Sequence, residues 1–179
     1  MTLSCDKPYQ HHSYGNGILI SLVTIADVED ISGTKPLFFN EPIDVGVKLT
    51  LDISRDFHPE LIIAGNFDRD QYTNEIKGWG SGFLVQDMLF RLGYKGNLNP
   101  DNSIPESAIR SLKGKQIYRL SYVTGTKDDG KPRYCDWNLI ASKEEGAESL
   151  FNRFRKSLSK GYPRNYKPEV IEQLTEEVI

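Results

Sequence analysis

The chain has 179 residues, the length of one domain with a modest extension; 38% apolar residues suffice for one small core, and 26% charged residues argue against wholesale disorder. Lys and Arg number 22 and Asp and Glu 25, a formal net charge of −3 that excludes a uniformly basic surface. Cys5 and Cys135 are too few for a disulfide framework, residues 1–10 lack the apolar stretch of a secretion signal, and no apolar run nears the roughly 18 residues of a membrane span. These features predict a soluble, cytoplasmic chain.

Residues 17–30, rich in Ile, Leu and Val, predict a first long strand closed by Ser32-Gly33. Residues 44–54 alternate: Val45, Val47, Leu49, Leu51 and Ile53 on one face, Asp44, Gly46, Lys48, Thr50 and Asp52 on the other. Period two over ten residues predicts a strand with one solvated face. Residues 60–68 predict a third. The period then changes: Leu84, Val85, Met88, Leu89 and Leu92 predict a helix over 81–92, ended by Gly93. Residues 94–108, punctuated by Gly, Asn and Pro, predict a long loop.

Two further strands are expected at 115–124 and 133–141, joined by a hairpin loop with an Asp129-Gly130 turn signal. Ser142-Lys-Glu-Glu145 has capping-box spacing and predicts a helix over 143–160, with Ala147, Leu150, Phe151, Phe154 and Leu158 on one stripe. The expected organisation is a flexible terminus (1–16), a barrel (17–142), a helix (143–161), and a linker with an acidic tail (162–179). Three strands, a helix and two strands is the element order of the OB-fold, a five-stranded Greek-key barrel. The fold class expected is therefore mainly β, an OB-fold barrel with an added C-terminal amphipathic helix.

Charge is segregated along the chain. Residues 27–75 carry eleven acids against four bases, residues 110–134 seven bases against two acids, and residues 169–179 four glutamates and no base. Such asymmetry suits a phosphate footprint or, more plainly, a mixed solvated surface.

Catalytic motifs fail on inspection. Lys113-Gly-Lys-Gln116 lacks the Ser or Thr and the upstream glycine of a P-loop. Gly78-Trp-Gly-Ser-Gly82 has neither dinucleotide-binding nor nucleophile-elbow spacing and reads as a turn before a helix. Asp68-Arg-Asp70-Gln-Tyr72 starts like a calcium loop but places Tyr72 at a ligand position. His11-His12, in a polar terminal stretch beside Cys5, reads as a mobile end rather than a zinc site. No catalytic residue, metal or cofactor is expected, and the chain is not expected to be an enzyme.

Bases and aromatics accumulate on the later strands. Single-stranded nucleic acid needs cations along its backbone and flat rings for stacking, each ring contributing roughly 1–3 kcal/mol. The candidate contacts are Lys48, Trp79, Lys115, Arg119, Tyr122, Lys127, Lys131, Arg133, Tyr134, Arg153 and Lys156. Phe38 and Phe39 fall in the first OB-type loop, and Thr50 beside Lys48 on strand two. Alternation points Trp137, Cys135 and Leu139 inward, and Arg119, Arg133 and Tyr134 toward solvent or the strand ends. Arg133 conflicts with that phase. The plainer alternative is that Tyr118, Tyr122 and Trp137 fill the barrel and that Trp79 packs against its end.

Gly65-Asn-Phe67-Asp-Arg, Gly78-Trp-Gly-Ser81, Leu112-Lys-Gly-Lys-Gln-Ile-Tyr-Arg-Leu120 and Asp129-Gly-Lys-Pro-Arg-Tyr134 together resemble bacteriophage single-stranded-DNA-binding proteins of replication and recombination modules. The resemblance spans about residues 17–141. It implies an OB-fold that coats single-stranded DNA without strong sequence preference, in the host cytoplasm, with no cofactor. The partners it implies are single-stranded DNA, further copies of the chain, and replication or recombination proteins reached through the acidic tail; no membrane is expected. The end Glu176-Glu177-Val178-Ile179 departs from tails that finish on an aromatic residue, which puts recruitment in doubt. A non-catalytic interaction or structural module of phage origin is the alternative, and an enzyme subunit or nuclease accessory using the acids of residues 27–75 a third.

Overall fold

The computed structural model describes residues 11–37, 39–53, 55–96 and 103–172; of His11 and His12 it describes the backbone alone. Expectations resting on Cys5, Phe38, Ser54, Glu176 and Glu177, and on the side chains of His11 and His12, lie outside the described residues.

Among the described residues eight strands form: β1 (His11–Ser13), β2 (Ile18–Asp30), β3 (Val45–Asp52), β4 (Glu60–Gly65), β5 (Asp68–Arg69), β6 (Ile76–Gly78), β7 (Gln116–Thr126) and β8 (Pro132–Ser142). The α-helices described are α1 (Phe83–Arg91), α2 (Glu106–Leu112) and α3 (Ala147–Ser159). The main sheet runs β4-β3-β2-β7-β8, with β1 added to β2, while β5 and β6 pair separately. In this order the first long strand, β2, lies between the second and the fourth. The fold is mainly β, with the strand order of an OB-like barrel.

The long strands start and stop within a few residues of expectation, because each is punctuated by Gly, Pro or Asp. The five alternating residues of β3 and its exit, from Val45 to Ile53, are all buried. The third predicted strand is shorter than expected. It ends at Gly65, and Asp68–Arg69 opens the small β5–β6 ribbon instead. A Cβ at Gly65 would collide with the Ser81 carbonyl, so only glycine lets the chain pass there.

Two expectations on helices are corrected. Residues 106–112, of which 106–108 were placed in the predicted loop and the rest in no element, form α2: seven residues are too few to show a helical period against the surrounding Gly, Asn and Pro. The Ser142 hydroxyl does accept a hydrogen bond from the Glu145 N–H at 3.1 Å, but it closes a turn at the end of β8. The helix starts later, after Gly146, whose φ of 88° is a left-handed conformation that disfavours other residues.

The described residues divide into two compact units, Thr24–Lys115 and a second made of residues 11–23 together with 116–172. The first packs an aliphatic core from β3 and β4 against α1, with Val45, Leu49, Ile63, Val85 and Leu89 essentially inaccessible. The second packs α3 on β7 and β8. Phe154 is fully buried there, with the rings of Tyr122, Trp137 and Tyr166 at 5.1–5.7 Å. The predicted linker is part of this core: Lys167 N–H donates to the Val123 carbonyl at 2.9 Å, and Tyr166 O–H to that of Asn16 at 2.6 Å.

Candidate nucleic-acid interface

The second unit presents its bases on the β7–β8 hairpin. Lys127 N–H donates to the Lys131 carbonyl, Gly130 N–H to that of Lys127, and Lys131 N–H to the Asp129 carboxylate, all at 2.8–2.9 Å. Gly130 takes a φ of 83°, the left-handed residue that a three-residue hairpin loop requires. Lys127 and Lys131 thus stand opposite each other at the neck of the loop, both exposed.

Two bulges set which side chains follow. The register steps from Val123↔Tyr134 to Gly125↔Arg133, leaving Thr124 as an extra residue on β7. A bulge of this kind re-aims the side chains beside it. Arg133 is exposed although it shares parity with buried Trp137, because it stands beside the loop, one residue into β8. Tyr134 is 37% exposed, and partial burial raises its phenol pKa above the usual value. A second bulge, between Arg119 and Ser121, lets Trp137 enter the core, with Cys135 and Leu139 half-buried against the same cluster.

Arg119 is corrected. Expected toward solvent, it is only 6% exposed, because β7 is covered along nearly its whole middle. Its guanidinium meets the Asp136 carboxylate at 2.8 Å and donates to Ser121 Oγ at 3.1 Å, while Ser121 in turn donates to Asp136 at 2.8 Å. This triad ties β7 to β8 and leaves no surface for phosphate. Tyr122 is corrected likewise: it is buried, and its hydroxyl donates to Asn165 Oδ1 at 2.9 Å. Burial, and then the neighbouring Cys135, push its pKa to about 12.

On α3, Lys156 is exposed in the last turn. Arg153 is instead half-buried, donating to the Ile140 carbonyl at 2.9 Å and facing Glu145 at 3.9 Å, so it fastens the helix to β8. Two exposed cations absent from the sequence-based set sit over rings in this unit: Arg155 over Phe151 at 5.8 Å and Arg164 over Tyr162 at 5.1 Å. Arg164, two residues from Tyr162, was hidden by reading 162–168 as a linker.

Three expected contacts belong to the first unit. Lys48 lies between Glu29 at 3.0 Å and Glu60 at 3.7 Å, and its hydrogen bond to Glu29 is the main reason its pKa is raised. Trp79 is half-buried, edge-on to Phe67 at 5.4 Å between ring centres. Lys115 is half-buried at the end of that unit. The false start of a calcium loop is an Asx turn: Asp70 accepts from the N–H group of Thr73 and then that of Tyr72, which lowers its pKa.

The sequence-predicted contacts that the structure gathers are therefore Lys127, Lys131, Arg133 and Tyr134. None of the three cations has an ion-pair partner among the described residues. No helix among the described residues is long and apolar enough to cross a membrane. No protein-family model and no curated protein matches this sequence, so the resemblance to phage single-stranded-DNA-binding proteins stands on the residues quoted above.

Proposed function

We propose that this chain binds single-stranded nucleic acid through the β7–β8 hairpin, as a non-catalytic, sequence-tolerant coat for single-stranded DNA in phage replication or recombination. The observation that carries this reading is the contrast in how bases are used. Lys48 and Arg119 are neutralised by carboxylates of the fold, whereas Lys127, Lys131 and Arg133 stand exposed beside a part-exposed ring, with no ion-pair partner among the described residues. Cations set along a hairpin match a chain of phosphates, and a tyrosine face accepts any base. Neither group reads base edges, which is why the binding is sequence-tolerant. The OB-like strand order supports the assignment, since the loop between the last two strands is a recurrent nucleic-acid contact in that architecture.

The test is a titration of a fluorescent oligo-dT at graded salt. Each phosphate neutralised contributes about −0.7 to the slope of log affinity against log salt for single strands. Three hairpin cations therefore account for a slope of about −2. Affinity indifferent to salt would reject the reading.

A further inference from the structure

The outer face of α1 carries two large exposed rings beside Tyr94, Lys95 and Gly96. Phe83, Gln86, Asp87 and Phe90 follow i, i+3, i+4, i+7 and so form one stripe, while Val85, Met88 and Leu89 on the opposite side are buried in the first unit. Phe83 is 53% exposed and Phe90 72% exposed, a large apolar display for a helix of nine residues. Both line a cavity of about 450 Å³ with Leu89 and Tyr94. Large exposed rings bordering a cavity mark a contact surface.

The stripe is self-complementary. The helix reads Phe-Leu-Val-Gln-Asp-Met-Leu-Phe from 83 to 90, apolar arms around a polar centre. If a second copy of the helix runs antiparallel with the two-fold axis between residues 86 and 87, Phe83 meets the second copy's Phe90, and Gln86 meets its Asp87, each pairing occurring twice. The amide of Gln86 has no hydrogen-bond partner among the described residues and can donate to that carboxylate. Asp87 uses one oxygen for Arg91 at 2.7 Å, and the other has no partner among the described residues. A closed two-fold contact requires a patch that pairs with itself, and this one does.

We infer that α1 is the dimerisation surface of this chain, joining two copies through an antiparallel α1–α1 contact in which Phe83 and Phe90 interlock. The inference is independent of nucleic-acid binding, and its readout is mass alone.

Sedimentation equilibrium of the full chain, without nucleic acid, tests it over a wide concentration range. The wild type should show a monomer–dimer equilibrium. Phe90→Glu and Phe83→Glu should each weaken it at least tenfold, and both sites are exposed enough to spare the fold. Gln86→Lys should tighten it, by facing Asp87 of the second copy; Gln86→Glu should weaken it, by massing four carboxylates at the axis. A wild type that stays monomeric throughout, or a dimer insensitive to all four substitutions, would overturn the assignment. So would Gln86→Lys and Gln86→Glu shifting the equilibrium in the same direction.

Discussion

In Thr24–Lys115 every buried hydrophobic side chain described is aliphatic or Met, whereas the second unit gathers its rings around Phe154. The charges differ in parallel: residues 24–115 carry fourteen acids against ten bases, residues 116–168 eleven bases against six acids. The first unit leaves large apolar groups outside, among them Leu37, Phe57, Tyr72, Phe83 and Phe90; the second leaves Tyr134 and Tyr162. The lesson is that proximity of bases and aromatics in sequence does not make an interface. In the second unit most rings were drawn inward to build the core, and what remains outside is mainly charge, with Tyr134 and Tyr162. In the first, carboxylates neutralise the best-placed base, Lys48, and the exposed rings suit contact with protein rather than phosphate.

The largest expected effect tests the aromatic core. Phe154→Ala should destabilise the protein by about 3–5 kcal/mol, read from the urea midpoint, because the cavity opens beneath three rings at once. Arg119→Met comes next. It leaves Asp136 facing an apolar side chain, and removing one member of a buried pair costs about 3–5 kcal/mol; the partial hydration of Asp136 places the expected value near the lower end. Any loss of oligonucleotide binding in that variant should track unfolding rather than a lost contact.

Tyr122→Phe should cost less, about 0.5–1.5 kcal/mol for the hydrogen bond to Asn165, and should alter the pH dependence. The folded protein raises this phenol from the usual value near 10 to about 12, so the native state holds the proton more tightly than the unfolded chain. Tyr122 therefore contributes stability that is constant below about pH 10 and lost as pH rises from 10 toward 12. Urea midpoints across that window should fall less steeply in Tyr122→Phe than in the wild type. The smallest effect is expected at Lys48→Met, with unchanged oligonucleotide affinity, since Glu29 and Glu60 already occupy that ammonium. A clear loss of affinity there would dissolve the contrast between the units.

Much of the fold was legible because it depends on local periods. The alternation through β3 and the stripe on α3 each place side chains by geometry within one element, and both recur in the structure. The hairpin loop was legible from Asp129-Gly130, since the left-handed residue demands glycine. What escaped depends on partners distant in sequence or on irregular pairing. Arg119 looks like a surface base until Asp136 is brought across the sheet, and the bulges that shift β7 against β8 leave no mark on residue type. Tyr166 looks like linker until Phe154 receives it. Among the candidate contacts, the exposure of Lys127 and Lys131 was readable because a tight turn forces its flanking residues outward. That of the contacts inside strands was not, because alternation cannot say when both faces are covered.

The central claim is tested most directly by comparing the wild type with the triple variant Lys127→Ala, Lys131→Ala, Arg133→Ala in oligo-dT titrations across salt, with unfolding curves confirming that both are folded. The account predicts at least tenfold weaker binding of the variant at low salt, and a salt slope shallower by about 2, from three contacts of about 0.7 each. Equal affinity and equal slope in the folded variant would contradict it.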